Sequence, residues 1–211
     1  MLNLPWYRNR GHRCAETVLK AVIKYYHPVM VYHWDELAAF LRNDGKLVHP
    51  IQIAKALMDV DVPFRYLSHK GIEWLLEGNL SKVRSEMKDF YGEDSGFIIK
   101  NTNLEVLVEC ARTVKNYAGY KKEPLSFEQV EKELAHGYMA ICLLSADVLL
   151  RRENRHRGHY VIATGIDTRD VICYDCGPFD ASPTKKIVRK TFLEAWNKLS
   201  FLDEGTLLVG S

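Results

Sequence analysis

The strongest constraint on the fold is a change of hydrophobic pattern near Gly137. Before it, apolar residues recur every three or four positions, which is typical of helices with one buried face. After it, short segments rich in β-branched and aromatic residues alternate with turn-forming sequence and predict strands. These segments are 138–144, 159–166, 171–175, 185–190 and 205–210. Helices that precede the strands, instead of alternating with them, predict an α+β fold.

Helices are expected throughout the first two thirds of the chain. The clearest begins near Ala15, and the segments 33–45 and 49–60 repeat its pattern. The region from about 70 to 136 is also mostly helical, and a last helix follows the strand at 185–190. Capping-box patterns mark three helix starts: Thr102-x-x-Glu105, Ser126-x-x-Gln129 and Thr191-x-x-Glu194.

Length and charge limit the classes of function. The 211 residues, 47 % of them hydrophobic, are enough to bury one core. Because the 29 basic residues are nearly balanced by 27 acidic ones, we expect no nucleic-acid or membrane partner. The sequence shows no signal-like or membrane-spanning stretch, which predicts a cytoplasmic protein. Five cysteines, an odd number, favour free thiols over a disulfide framework.

Cys14 lies at the start of the first expected helix, in "NRGHRCAETVLKAV". The positive end of a helix favours thiolate over thiol, which prepares a nucleophile. The alternative is that Cys14 packs as a small hydrophobe on the face of Val18, and the first helix alone favours that alternative.

The hairpin "RGHYVIATGIDTRDVICYDCGPF" favours a nucleophilic role for Cys14 over packing, because it carries His159 and Asp175. A thiolate, an imidazole and an orienting carboxylate are the groups a cysteine peptidase requires. An ideal two-residue turn would place Asp175 opposite Ile162, about three residues short of His159. Direct contact therefore requires a bulge, a shifted turn or strand twist.

These residues, with "LPWYRNR" before the cysteine and "FLEAW" before the final strand, resemble the papain-fold cysteine peptidases that process double-glycine leader peptides, and their stand-alone relatives. The resemblance covers roughly residues 4–67 and 137–210. It implies N-terminal helices packed on a C-terminal antiparallel sheet, and a catalytic triad of Cys14, His159 and Asp175. The leader-type specificity is not implied.

The chain departs from that family's pattern in three places. The usual glutamine before the cysteine is missing, so Asn9 or Arg8 would complete the oxyanion hole or bind substrate. Ala15-Glu16-Thr17 replaces the usual small residues. The third departure is extra length: we expect one domain over 1–211, with a helical half at about 1–67, a helical insertion at about 68–136 and a β-sheet half at about 137–211. The insertion is the expected surface for a partner protein.

Other candidate residues have simpler interpretations. Cys173 and Cys176 form one C-x-x-C pair on opposite strand faces, which favours packing over zinc or redox chemistry. Cys110 and Cys142 fall in core patterns, and His12 lies too close to Cys14 in sequence to face its thiol. The basic segment 151–158 is either a solvated loop or a site for a carboxylate or phosphate.

The sequence therefore predicts a thiol hydrolase that acts on a peptide or other small amide substrate, without a cofactor or metal. An acyl or peptidyl transferase using the same thioester intermediate is a second hypothesis. A catalytically silent module that binds a peptide or another ligand is a third, suggested by the altered oxyanion hole and by Glu16. A nucleotide cyclase ranks last because no nucleotide-binding loop is present.

Overall fold

The structure, a computed structural model, describes residues 2–9, 11–123, 125–152, 157–177, 180–199 and 205–210. Its helices are α1 (Cys14–Tyr26), α2 (Trp34–Phe40), α3 (Pro50–Asp59), α4 (Leu80–Tyr91), α5 (Ser95–Lys100), α6 (Leu104–Val114), α7 (Phe127–Ala135), α8 (Ala146–Leu149) and α9 (Arg189–Leu199). Its strands are β1 (Phe64–Ser68), β2 (Tyr120–Lys121), β3 (Met139–Ser145), β4 (Gly158–Ile166), β5 (Asp170–Asp175), β6 (Ser182–Val188) and β7 (Gly205–Val209).

The strands in these ranges form one seven-stranded sheet in the order β2-β1-β7-β3-β4-β5-β6. The short pair β1–β2 is parallel and the other neighbouring strands are antiparallel. The expected α+β class, with helices packed on a mainly antiparallel sheet, is confirmed. The hydrophobic pattern did not predict β1 and β2, which carry the sheet into the first two thirds of the chain.

Helices cover both faces of the sheet, which explains why the central strands are almost continuously apolar. On one face, α1 and α3 pack against a layer that includes Ile141 and Ile162. On the other, α7 and α9 pack against a layer that includes Cys142 and Val161. None of the described helices combines the length and apolarity needed to cross a lipid bilayer.

The start of the last helix differs from the expectation. Strand β6 ends at Val188, and α9 begins at Arg189, two residues before the expected cap at Thr191. The expected strand at 185–190 was therefore placed too late. Val188 pairs with Asp170, the first residue of β5, so β6 has no partner on β5 beyond that point.

The two earlier capping boxes had different outcomes. Ser126 accepts the Gln129 N–H as predicted, and the Gln129 side chain returns to the Ser126 N–H. Thr102 was the wrong cap for α6, because the Oδ1 of Asn103 accepts the Val106 N–H instead. Asparagine is among the strongest helix caps. The Thr102 hydroxyl lies 3.0 Å from a ring nitrogen of His49.

The segment before α1 is fastened to β5 by Tyr174, which is fully buried. The Tyr174 hydroxyl accepts the Tyr7 N–H at 2.8 Å and donates to the Tyr7 carbonyl at 3.0 Å. Two residues later, the Asn9 N–H donates to the Cys176 carbonyl at 2.7 Å. The chain therefore reaches Cys14 from a fixed position on the sheet.

Replacing Tyr174 with Phe should lower the free energy of unfolding by about 1–2 kcal/mol, because the Tyr7 N–H and carbonyl would both lose their partner. Urea denaturation measures the change. Tyr25→Phe is the control, since no hydrogen bond from the Tyr25 hydroxyl is found within the described ranges. Equal losses in the two variants would contradict the role assigned to Tyr174.

Candidate active site

Cys14 is the first residue of α1 and is half-buried, whereas the other four cysteines are at most 3 % exposed. The turn before it is held by Asn9, whose Oδ1 accepts the Arg13 N–H at 3.0 Å. Gly11 gives this turn a φ of +82°, a conformation that favours glycine. The Thr17 hydroxyl donates to the Arg13 carbonyl and closes the first turn of the helix. The Cys14 sulfur thus lies at the end of the helix that favours negative charge.

His159 and Asp175 are hydrogen-bonded to each other inside the protein. The Nε2 of His159 donates to the Oδ1 of Asp175 over 2.8 Å. The side chains are only 8 % and 2 % exposed. The structure therefore brings these two residues together despite the offset that an ideal hairpin would give them.

A one-residue bulge at Thr164 makes this contact possible. Uninterrupted pairing from the hairpin turn would set Asp175 opposite Ile162, on the other face of the sheet from His159. In the structure, Ile162 pairs with Tyr174 instead. Side chains alternate between faces along a strand. His159, three residues before Ile162, and Asp175, one residue after Tyr174, consequently share a face.

Asp175 is surrounded by donors. Its Oδ1 accepts from His159 and, at 2.9 Å, from the Gly177 N–H, while its Oδ2 accepts from Lys185 Nζ at 2.8 Å. Burial alone would raise the pKa of this carboxyl, but the hydrogen bonds from His159 and Lys185 lower the pKa below its ordinary value. Asp175 is therefore a carboxylate at neutral pH.

Cys14 is the other neighbour of the His159 imidazole, and its sulfur raises the pKa of His159. Because Nε2 is committed to Asp175, Nδ1 is the ring nitrogen that remains for the sulfur. Burial lowers the pKa of His159, but the hydrogen bond to Asp175 and the neighbouring Cys14 sulfur outweigh it and raise the pKa to about 9. An imidazole that holds its proton at neutral pH thus lies between a carboxylate and a sulfur.

The two oxyanion candidates occupy different environments. Asn9 is 8 % exposed and is held at both its backbone N–H and its Oδ1. Because Arg13 occupies that oxygen, the amide nitrogen is the free end of the side chain, with no hydrogen bond to the described residues. Arg8 is exposed, and no contact in the described part of the chain joins it to Cys14 or His159.

Lys185 was not predicted to be a site residue, but it lies against Asp175 in the structure. Residues 185–188 of its segment lie in β6 as the pattern predicts, but the pattern does not say which strand lies beside them. Only the pairing of β5 with β6 reveals the contact. The one usable signal was the alternation that directs Lys185 and Ile187 to a single face.

Arg157, one residue of the basic segment 151–158, makes hydrogen bonds within the fold. The Arg157 guanidinium donates to Asp147 Oδ1 at 2.8 and 3.1 Å, and its backbone N–H donates to Oδ2 at 3.2 Å. Asp147 is 2 % exposed, so this pair anchors the base of the segment. Residues 153–156 of the expected anion-binding cluster lie outside the described residues.

The other cysteines and histidines take structural or exposed positions. Cys173 and Cys176 are fully buried and face opposite layers of the core, as the alternation predicts, and burial raises the pKa of both thiols. His12 is exposed, and His33 and His49 occupy helix starts. Among the described residues, no group of three or more His, Cys, Asp or Glu side chains could hold a metal ion.

The chain is similar to known proteins in sequence and in fold. A family model described as the Peptidase_C39 like family matches residues 1–204. A structure described as a C39-like peptidase from Bacillus anthracis has a TM-score of 0.55 at 14 % identity, covering 99 % of this chain and 95 % of that one, and shows a shared fold. The peptidase domain of Streptococcus ComA, a bi-functional ABC transporter of a quorum-sensing pathway, has a TM-score of 0.49 at 12 % identity, covering 97 % and 96 %. No curated protein matches the chain.

Iodoacetamide at pH 6 should alkylate Cys14 at least ~10-fold faster than an ordinary thiol, because a thiolate beside a protonated imidazole stays reactive where free thiols are protonated. Peptide mass mapping over time measures the rate at each cysteine. His159→Ala should remove the advantage of Cys14, and the four buried cysteines should react only after unfolding. A rate at Cys14 no higher than that of a small-molecule thiol would contradict the thiolate.

Proposed function

The chain belongs to the Peptidase_C39-like family, and we propose that it is a cysteine peptidase-like hydrolase whose triad is Cys14, His159 and Asp175. The observation that carries this proposal is the buried hydrogen bond between His159 and Asp175, together with the Cys14 sulfur beside the same imidazole, where it raises the pKa of His159. Such an arrangement supplies a nucleophile, a proton carrier and a group that orients the carrier. The substrate class is a peptide or another amide.

In the first half of the reaction, the Cys14 thiolate forms a bond with the substrate carbonyl carbon, and the carbonyl electrons move to its oxygen. His159 Nδ1 then gives its proton to the leaving amine as the C–N bond breaks, which leaves a thioester. In the second half, neutral His159 takes a proton from water. The hydroxide attacks the thioester, the acid product leaves and the thiolate returns. Asp175 holds Nε2 throughout.

The negative oxygen of the tetrahedral intermediate needs two donors. We assign them to the Cys14 backbone N–H and the Asn9 side-chain amide. The orientation of Asn9 supports this assignment, because its oxygen is occupied by the Arg13 N–H and its amide nitrogen remains to donate. Arg8, being exposed, suits an anionic part of the substrate better than the oxyanion.

The surroundings of Glu16 bear on the silent-module alternative. Glu16 is 1 % exposed, and its Oε1 accepts from Asn43 Nδ2 at 2.8 Å. The Glu16 side chain therefore links α1 to the residues after α2. That structural role explains the unusual residue two positions after the cysteine without requiring a lost activity. A partner protein on the helices between β1 and β3 remains part of the proposal.

A defined mixture of peptides, analysed by mass spectrometry, tests the activity. The wild-type protein should cleave at least one peptide, and Cys14→Ala should lower kcat/KM by at least ~10³-fold because no thioester can form. Added amines distinguish hydrolysis from transfer, since a transferase would yield the new amide in place of the acid. Rapid alkylation of Cys14 without turnover of any peptide or amide would favour the silent module.

Asn9→Ala should lower kcat by ~100-fold or more, the usual effect of losing one oxyanion donor, while alkylation of Cys14 stays near the wild-type rate. Steady-state kinetics and the pH 6 alkylation assay measure the two effects.

Arg8→Ala is the matched comparison in the same segment. It should mainly raise KM if Arg8 binds an anionic group of the substrate, because that interaction is equal in the ground and transition states. Loss of alkylation in both variants would show that this segment only supports α1, and the oxyanion role of Asn9 would then be wrong.

A further inference from the structure

Lys185 is a charged group of the site that the mechanism above does not use. Its Nζ lies 2.8 Å from Asp175 Oδ2, the carboxylate oxygen that His159 does not contact. The Lys185 side chain is 26 % exposed, whereas that of Asp175 is 2 % exposed. The buried carboxylate therefore connects the imidazole to an ammonium group at the edge of the solvent.

The sheet builds this contact. Lys185 pairs with Cys173 across β5 and β6, and Asp175 lies two residues beyond Cys173 on the same face. Diagonal neighbours on one face are within reach of a long side chain. A bulge between Cys173 and Asp175 sets Asp175 opposite Ser182. The ammonium consequently approaches from β6, while the imidazole approaches from β4.

We propose that Lys185 is a positioning residue that holds and neutralises the Asp175 carboxylate, so that His159 is oriented by an ion pair without net charge. This inference rests on the proposed function, in which His159 is the acid and base of the reaction. The neutral Asp175–Lys185 pair gives the imidazole an environment similar to that of an asparagine side chain. In both cases an oxygen accepts the imidazole N–H, and the asparagine would have its amide group in place of the ammonium.

Neutrality matters for the proton that His159 transfers. A lone buried carboxylate would hold the imidazolium proton more tightly, and an acid of higher pKa protonates a leaving amine less readily. The titratable groups that interact with His159 or Asp175 are Cys14 from α1, Cys173 from β5, Cys176 just after β5, and Lys185 from β6. Among these described groups, Lys185 supplies the positive charge that offsets the carboxylate.

NMR titration of His159 in a Cys14→Ala background measures this effect without any turnover. Adding Lys185→Met should raise the His159 pKa by about one unit, because the cation that offsets Asp175 is gone. Lys186→Met is the matched control: Lys186 is the next residue, is 62 % exposed and pairs with Asp167 at 3.0 Å. The control should leave the His159 pKa unchanged. Equal pKa values of His159 with and without Lys185 would overturn the proposal.

Kinetics give a second measurement that a merely structural residue would not change. The wild-type kcat/KM should fall as the pH rises through about 9, where His159 loses its proton. In Lys185→Met this fall in kcat/KM, the alkaline limb of the pH profile, should move to higher pH by about one pH unit. The value of kcat should fall ~10-fold with KM nearly constant. Lys185→Arg keeps the charge and should keep the wild-type limb. A limb that stays in place in Lys185→Met would contradict the role.

A double variant covers the case in which Lys185→Met does not fold. In Asp175→Asn with Lys185→Met, the amide oxygen can accept from His159 and Gly177, and no charge is left without a partner. The double variant should be more active than Asp175→Asn alone, and an equal or lower activity would overturn the proposal. Slow alkylation of wild-type Cys14 would instead refute the proposed function, independently of the His159 titration.

Discussion

A carboxylate with 2 % exposure has to be compensated by neighbouring donors, and the site is organised around that requirement at Asp175. Its partners come from β4, from β6 and from the turn after β5, where Gly177 at φ +95° directs its N–H back to the carboxylate. Because the buried Asp175 carboxylate needs these donors, its hydrogen bonds hold both the imidazole of His159 and the ammonium of Lys185 in place. The strand pairing places Asp175 beside His159, and Asp175 in turn raises the pKa of His159.

Much of this arrangement could be predicted from local sequence. Helical periodicity placed Cys14 at a helix start, and the strand segments around His159 and Asp175 marked both residues as more than loop positions. The α+β class followed from the order of helices and strands. Local periodicity succeeds here because it depends on residues that are three or four positions apart, or alternate, within a single element.

What the sequence did not predict depends on pairing between elements. The bulge at Thr164 decides whether His159 and Asp175 share a face, yet "VIATGID" reads as an ordinary strand. Lys185 became visible only once β6 was known to lie beside β5. The hydrophobic pattern and the turn favour a register, but the alternating pattern of one strand shows neither where a bulge interrupts the pairing nor which strand lies beside it. The cap at Asn103, in contrast, was a local error between two neighbouring residues that both favour caps.

The sulfur and the imidazole come from different layers, since α1 carries Cys14 and β4 carries His159. Their separation is therefore set by how α1 packs on the sheet, where the fully buried Val18 and Val22 join the same core layer as Ile162. Packing at interior density resists small displacements of the helix. The N-terminal segment adds a second connection, because it is tied to β5 through the Tyr7 backbone and then holds the first turn of α1. A helix fixed in both ways keeps its thiol at one distance from the imidazole, which is the preorganisation that the proposed nucleophile and proton carrier require.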